Sequence, residues 1–318
     1  MPNGEQGFGQ SGKESSFDRV TIPGLSDDDK KVVLADLAES FKNPPEVKGE
    51  LEKTPEEKEI IVIANQVTSQ IIKSLGLVPL EVPENNVKIL EKIERGEKTV
   101  GGEMDAGRQI ILLQRVESRL LAFARTAHEM FHMKSFGAFQ VLDNDSLDVD
   151  FRARGGFVII SRDGSEEFFV RLNEAVTESL SASAVKNITE SKPSVFSEEI
   201  TETEVAKQGF DAVDLYGDSV PGDEIYFARR QGDEIDGQTF VYRKERTALN
   251  MLIEKIYQSH QEMFENQSEV IDQFYRAYFS GKILEVGKLI DRTFGKGVFR
   301  RIGKAKTGEE FAAVVNSL

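Results

Sequence analysis

The sequence contains no cysteine, and this absence excludes several kinds of chemistry at once. The chain cannot form disulfides, offer a thiolate nucleophile, or bind an iron–sulfur cluster or a cysteine-ligated zinc ion. Any metal ion would have to bind to nitrogen and oxygen ligands, and only 3 of the 318 residues are histidine. Cysteine usage therefore gives no indication of the redox compartment.

Long apolar runs are also absent. No segment approaches the roughly 18–20 apolar residues that a membrane-spanning helix needs. Residues 1–16 are polar and rich in glycine, and they lack the apolar segment behind a basic start that marks a secretory signal. These features predict a cytoplasmic protein without a membrane partner, although export without a cleaved signal stays open.

Basic residues are fewer than acidic ones. Lys and Arg total 40 against 55 Asp and Glu, so the formal net charge is −15 at pH 7. This charge repels phosphate, which argues against nucleic acid or anionic membranes as the main partner. The hydrophobic fraction of 39% is ordinary for a globular protein, and the length of 318 residues predicts about two domains.

Composition along the chain predicts four regions. Residues 1–20 carry little apolar surface and are expected to be a disordered tail. Residues 21–185 show alternating helical and strand patterns. Residues 186–238 are polar, acidic and weakly periodic, which predicts an irregular insertion. Residues 239–318 predict a C-terminal helical domain of four helices.

Local patterns place the main elements. Thr54, Pro55 and Glu57 form a capping box with a proline at the first helical position, which predicts a helix that runs to Gly76. Short apolar runs at 87–113 predict strands with a hairpin around Gly107, and residues 116–133 return to helical spacing. A second hairpin around 161–164 precedes a predicted helix at 171–185. Glycines 101 and 102 are interpreted as turn residues, with loop hinges as the alternative.

The most informative motif is H-E-x-x-H, formed by His128, Glu129 and His132. Histidines four residues apart lie on one helix face, so both imidazoles can reach one metal ion while Glu129 points beside them. Composition alone would produce this motif in roughly three of a thousand such sequences. The alternative is a pair of solvated histidines on an amphipathic helix. A zinc site also needs a third protein ligand, for which His260 or a carboxylate is available.

Known zinc families differ in the source of that third ligand. A metzincin would continue with a glycine and a third histidine, where this chain has Ser135 and Ala138. Peptide deformylases use a cysteine, and intramembrane site-2 proteases need membrane spans, so both are excluded. A glutamate ligand remains, and the stretch Asn173, Glu174 and Glu178 follows on the next predicted helix.

H-E-x-x-H followed by N-E-x-x-T-E resembles the gluzincins, the thermolysin-like group of zinc metallopeptidases. The resemblance covers roughly residues 100–185 and implies that Glu174 is the third zinc ligand. It also implies that Glu178 accepts a hydrogen bond from a ligand histidine, although the family has an aspartate there. Glu174 and Glu178 are four residues apart and thus share a helix face, as these roles require. The alternative for the pair is a solvated acidic face.

The resemblance implies a fold and a function together. The expected fold is α+β: a mostly helical zincin-like core with a small mixed sheet and a C-terminal helical domain. The expected function is a zinc metalloendopeptidase that acts on a peptide or protein substrate, with Zn²⁺ as cofactor and Glu129 as general base. The alternative is a non-catalytic, zinc-stabilised scaffold or interaction protein. A secreted effector or phage-associated protease also stays open.

A peptidase must also stabilise the oxyanion of its transition state. Gluzincins use a downstream tyrosine or histidine, for which Tyr242 and His260 are eligible, with Arg152 and Arg154 as cationic substitutes. For His260 and Tyr242 the alternatives are a surface position and a packing role. The predicted strand at 108–114 would supply an edge to which an extended peptide adds by backbone hydrogen bonds.

Overall fold

The computed structural model describes residues 20–21, 26–96, 98–141, 149–161, 163–209, 212–213, 219–231 and 234–318. The predicted disordered tail lies outside these residues, except for Val20. Within them the protein is α+β, as predicted, because helices predominate and the strands form small sheets that mix parallel and antiparallel pairs. No helix among the described residues is long and apolar enough to cross a membrane.

Helices occur along the whole described part of the chain. The α-helices are α1 Asp27–Lys42, α2 Pro55–Ser74, α3 Arg119–Lys134, α4 Val170–Ser191, α5 Ser197–Gly209, α6 Arg243–Ser259, α7 Gln267–Ser280, α8 Ile283–Phe294, α9 Val298–Lys304 and α10 Gly308–Asn316. Short 3-10 helices occur at Glu84–Asn86, Pro193–Phe196 and Gly222–Glu224.

The strands are short and lie between these helices. They are β1 Val20–Thr21, β2 Val87–Leu90, β3 Ile93–Arg95, β4 Lys98–Val100, β5 Gly102–Asp105, β6 Ile110–Gln114, β7 Gly137–Val141, β8 Val149–Gly155, β9 Val158–Ile160, β10 Glu167–Phe168, β11 Ala212–Val213, β12 Ser219–Val220, β13 Phe227–Gln231 and β14 Glu234–Gln238. One sheet has the order β2-β6-β5 and another β1-β7-β8-β9-β10, and the pairs β3-β4, β11-β12 and β13-β14 stand alone.

The three-stranded sheet corrects one prediction from the sequence. The strand expected to be an edge is β6, and it lies in the centre, with β2 parallel on one side and β5 antiparallel on the other. Its residues Ile110–Leu113 are all buried, because both neighbouring strands and helix α3 cover it. The edge strands of this sheet are therefore β2 and β5, and β5 leads into the predicted hairpin turn around Gly107.

Helix α3 lies against α2, α4 and the sheet, and this packing fixes its orientation. Its buried side chains recur at helical spacing and include Phe123, Ala127 and Phe131, so one face of α3 belongs to the core. The N-cap hydroxyl of Ser118 accepts the Leu121 N–H and starts the helix. The predicted capping box of α2 at Thr54 is confirmed.

Helix α4 begins at an unusual backbone position. Its N-cap, Phe169, has a φ of 62°, in the left-handed region that side chains other than glycine rarely adopt. The Phe169 N–H donates to the Gly303 carbonyl at 2.8 Å, and its ring packs on Phe299 with 4.5 Å between centroids. A Cβ at Gly303 would lie 2.5 Å from the Phe169 ring, so α9 can approach only because it has no side chain there. Helix α9 thus holds the start of α4.

The region 186–238 differs from the irregular insertion expected from the sequence. Its described residues include the end of α4, helix α5 and the hairpin β13–β14, with a small cluster of buried apolar residues at Ala206, Val220 and Ile225. Few apolar residues suffice for so small a cluster, and they are spread over several elements. For this reason the region shows little periodicity in the sequence.

The C-terminal region contains one helix more than expected. Beyond the four predicted helices there is the short helix α9, which follows Gly295 at the end of α8 and has Gly297 as its N-cap. Buried apolar residues of one cluster extend from Val33 in α1 to Val315 in α10. The domain boundary predicted at 238/239 stays a prediction.

Candidate metal centre

Two histidines of α3 face each other across one helical turn. The Nε2 atoms of His128 and His132 lie 3.1 Å apart, and the side chains are 14% and 16% exposed. The four-residue spacing on a helix accounts for this proximity, because such residues are neighbours on the same face. The two imidazoles therefore lie on the face of α3 that α4 approaches.

Helix α4 supplies a carboxylate to this pair. Oε2 of Glu174 lies 3.5 Å from Nε2 of His128 and 3.5 Å from Nε2 of His132. Zinc bonds of about 2.0–2.1 Å at tetrahedral angles would separate neighbouring ligand atoms by about 3.3 Å. The three observed separations of 3.1–3.5 Å therefore fit three corners of a tetrahedron around one ion.

Glu178 lies behind His128. Its Oε2 is 3.2 Å from Nδ1 of His128, while its Oε1 accepts the backbone N–H of Tyr242 at 2.8 Å. The carboxylate is almost fully buried, with the side chain 3% exposed. A carboxylate at Nδ1 fixes the proton on that nitrogen and leaves Nε2 free to bind a metal ion. Glu178 thus lies where the sequence pattern predicted a supporting acid.

Tyr278 of α7 lies behind the other histidine. Its hydroxyl is 3.3 Å from Nδ1 of His132 and 2.9 Å from the hydroxyl of Thr177 on α4. This residue was not predicted from the sequence, because it lies far from the motifs and in no motif of its own. The only available signal was its residue type, which can donate and accept a hydrogen bond from within the core.

Glu129 lies beside the three candidate ligands and contacts β5 closely. Burial raises the pKa of its carboxyl, and the nearby charges of His128 and His132 only partly oppose this. A Cβ at Gly102 would lie 2.9 Å from Oε1 of Glu129. Gly102 is therefore not a hinge or an ordinary turn glycine, because it allows the edge strand to pass directly beside this carboxylate.

The charged side chains of this group shift the pKa values of their neighbours. Burial would raise the pKa of Glu174, but the two histidines outweigh it and bring that pKa well below its usual range. Burial would likewise lower the pKa of His128, but hydrogen bonds to Glu174 and Glu178 and the charge of Glu129 hold it well above its usual value. The carboxylates of Glu129, Glu174 and Glu178 surround the two imidazoles. The group is therefore anionic when the imidazoles are neutral. A divalent cation would offset this charge.

A cleft of about 370 Å³ opens in front of the group. Its lining includes His128, Glu129, His132 and Glu174, together with Tyr242 and residues from the strands on either side of α3 in the chain. The strand residues are Gly102, Glu103 and Met104 of β5, Gly155 of β8, and Val158 and Ile160 of β9. A ligand in this cleft would therefore reach the candidate metal ligands and Glu129 together.

Of the two residues that were eligible as oxyanion donors, the structure places one at the cleft and the other far from it. Tyr242 lines the cleft, and its ring is stacked near His128 with 6.1 Å between centroids. The negative charge of Glu174, followed by burial, raises the pKa of Tyr242 far above its usual range, so its hydroxyl stays protonated. His260 lies at the opposite end of α6, about 25 Å away at 1.5 Å per residue, and contacts Thr293. The structure does not bring it to the site.

Arg154, one of the two arginines proposed as substitutes, does not join the group either. Arg154 donates to the Gly281 carbonyl at 2.7 Å, and its guanidinium lies over the Phe136 ring. The described residues that line the cleft do not include Arg154. The side chain of Arg152 lies outside the described part of the structure.

Comparisons with known proteins give no family for this chain. No family model matches the sequence, and neither the curated proteins nor the solved structures contain a match. The group of His128, His132 and Glu174 is therefore the main basis for any functional assignment.

Proposed function

We propose that this protein is a zinc-dependent metallopeptidase with a zincin-like core. The observation that carries the proposal is the convergence of His128, His132 and Glu174 beside the buried carboxylate of Glu129, in a cleft open to a ligand. Three protein ligands with room for a fourth are typical of catalytic zinc sites, whereas structural sites are usually closed by four. The order of the two motifs along the chain supports the same class.

Each residue would have a distinct task in peptide hydrolysis. A zinc ion held by the three ligands would supply Lewis-acid activation of a water molecule and of the scissile carbonyl. Glu129 would accept a proton from the attacking water and transfer it to the leaving nitrogen. Its raised pKa supports this role, because a general base works best when its pKa approaches the working pH.

Tyr242 is the candidate donor to the oxyanion. Its hydroxyl stays protonated because Glu174 and burial raise its pKa, so it can donate a hydrogen bond as charge develops on the carbonyl oxygen. The backbone of Tyr242 is also tied to Glu178, which connects the start of α6 to the ligand helix. His260 is not proposed for this role.

A second candidate is the non-catalytic scaffold in which the metal ion only stabilises the fold. Two histidines and one carboxylate also occur in non-haem iron enzymes, so the metal must be identified directly. The position of Glu129 favours the peptidase, because a structural site has no use for a buried carboxylate that lines the cleft beside the ligands.

The test combines metal analysis with turnover. Purified protein should contain one zinc per chain by elemental analysis and should hydrolyse members of a mixed peptide library, as detected by mass spectrometry. Glu129→Gln should keep the zinc and lose nearly all turnover, because the amide cannot accept the proton. The matched control is Glu190→Gln, on the exposed surface of α4.

Three results would contradict the proposal. Iron in place of zinc would indicate other chemistry, and stoichiometric zinc without cleavage of any peptide would favour the scaffold. Loss of zinc from Glu129→Gln would make Glu129 a ligand and not a base. Full zinc retention by His132→Ala would remove the basis for the site itself.

A further inference from the structure

A chain of hydrogen-bonding groups leads from His132 into the core. Nδ1 of His132 lies 3.3 Å from the hydroxyl of Tyr278, which lies 2.9 Å from the hydroxyl of Thr177. The Thr177 hydroxyl in turn lies 2.9 Å from the backbone carbonyl of Asn173. The chain thus connects α3, α7 and α4 and ends at an acceptor that has no proton to give.

A metal ion bound at Nε2 of His132 would fix the direction of this chain. The ring proton would then lie on Nδ1 and be donated to the Tyr278 hydroxyl. Tyr278 would in turn donate its proton to the Thr177 hydroxyl, and the Thr177 proton would go to the Asn173 carbonyl. Nε2 of His132 faces Glu174 and His128, as this arrangement requires.

We propose that Tyr278 is a positioning residue that holds His132 in the tautomer and ring orientation needed to bind the metal ion through Nε2. This inference rests on the proposed metal site. It assigns to α7, a helix outside both sequence motifs, a direct part in preparing one ligand. His128 receives the same support from the Glu178 carboxylate, so the two ligands are oriented by different chemistry.

Tyr278 is itself held firmly in place. It is fully buried, and its ring packs on Phe157 and Phe279 with 6.4 and 5.0 Å between centroids. A Cβ at Gly156 would lie 2.5 Å from the Tyr278 ring, and the φ of +56° at Gly156 also requires glycine. The turn between β8 and β9 therefore leaves space for this ring, and the hydroxyl has little freedom to move away from His132.

The Glu178 carboxylate is charged and the Tyr278 phenol is neutral, so they should affect the basicity of their histidines differently. A carboxylate increases the basicity of the imidazole that donates to it, whereas a neutral phenol does so much less. His132 should therefore be the weaker electron donor of the two ligands. It should also depend more on geometry, which the buried tyrosine supplies.

The test uses two tyrosines of the same helix. Tyr275 is also buried on α7, and its hydroxyl lies 2.9 Å from that of Ser179 on α4, but it does not contact a histidine. Tyr278→Phe and Tyr275→Phe each remove one buried hydroxyl, so they should lower the stability of the metal-free protein to a similar extent. Only Tyr278→Phe should weaken zinc binding, by about 10–100-fold in a chelator competition titration.

A second variant and a spectroscopic measurement make the test independent of folding. Thr177→Val keeps the side-chain shape and removes the acceptor for the Tyr278 proton, so it should weaken zinc binding by less than Tyr278→Phe. With three histidines in the chain, nitrogen-15 labelling of histidine gives a simple spectrum. The Nδ1 proton of His132 in the zinc-loaded protein should exchange slowly with solvent, and rapidly in Tyr278→Phe.

The outcomes separate this inference from the proposed function. Zinc affinity unchanged in Tyr278→Phe, or equally weakened in Tyr275→Phe, would overturn the role of Tyr278 and leave the peptidase proposal intact. Zinc binding that follows the prediction, in a protein that cleaves no peptide, would support the positioning role and contradict the peptidase. A wild-type protein that binds no metal would overturn both.

Discussion

Glycine at position 102 determines how closely β5 approaches the Glu129 carboxylate. The distance from a Cβ at this position to Oε1 would be 2.9 Å, which is shorter than real Cβ contacts. Gly107, in the turn of the same hairpin, has more room, because the nearest atom to its Cβ would be Oδ1 of Asp105 at 3.6 Å. The two glycines therefore differ in function although both belong to one hairpin.

We predict that Gly102→Ala keeps the metal ion but displaces the Glu129 carboxylate. Since small displacements of a catalytic group are costly, kcat/KM should fall by about 10–100-fold while zinc content is unchanged. Gly107→Ala is the control and should retain full activity. Steady-state peptide hydrolysis and elemental analysis measure the two quantities. Equal activity of both variants would show that the proposed reaction does not depend on the position of Glu129.

Glu178 gives a second prediction at this scale. Because it accepts the Nδ1 proton of His128, Glu178→Ala should weaken zinc binding by about 10–100-fold in a competition titration. Glu190→Ala, on the exposed face of the same helix, should bind zinc like the wild type. If Glu178→Ala were metal-free while Glu174→Ala kept its zinc, the two glutamates would have exchanged roles.

Sequence spacing was informative for residues that share a helix. The motifs selected His128 with His132 and Glu174 with Glu178, and the four-residue spacing supported both pairs, because helix geometry brings such positions together. Tyr278 could not be found in this way, since its contact with His132 joins positions 146 residues apart. Tyr242 and His260 were both eligible in the sequence because each is of a residue type that gluzincins use. Only the packing of α6 on α4 shows that Tyr242 lies at the site and His260 does not.

At the scale of elements, the start of α2 is fixed by a combination of groups. The Thr54 hydroxyl accepts the Glu57 N–H, and the Glu57 carboxylate accepts the Thr54 N–H at 2.8 Å. Arg115, just after β6, binds the same carboxylate through two nitrogen atoms at 2.8 and 2.9 Å. The capping box therefore also ties α2 to the end of the sheet strand.

We predict that Thr54→Ala lowers the free energy of unfolding by about 1 kcal/mol, because the first turn of α2 loses its side-chain acceptor. Thr247→Ala, at an exposed position within α6, should leave it unchanged or raise it slightly, since alanine is the better helix former. Urea denaturation measures both values. A loss of similar size in the two variants would contradict the capping role.

The strands show why some elements were placed wrongly. The hairpins around Gly107 and at 161–164 were predicted correctly from turn residues, which act locally. The expected edge strand β6 was not, because an edge is defined by its neighbours and the partner β2 lies more than 20 residues away. The uninterrupted burial of Ile110–Leu113 shows why an apolar run of this kind belongs in the centre of a sheet.

At the scale of the whole molecule, the candidate site is completed by distant parts of the chain. The motif helices α3 and α4 supply the three candidate ligands, and β5, α6 and α7 supply the groups around them. The α+β class and the group of His128, His132 and Glu174 were predictable, because the two motifs and their resemblance to the gluzincins indicated them. The supporting groups were not, because they depend on how the C-terminal helices pack.

This arrangement has a consequence for the newly made protein. Tyr278 emerges from the ribosome 150 residues after His128, which at about 5–20 residues per second corresponds to about 8–30 seconds of synthesis. During that interval the first histidine motif exists without the phenol that orients His132. A peptidase built in this way would gain its full metal affinity, and hence its activity, only after α7 has been synthesised.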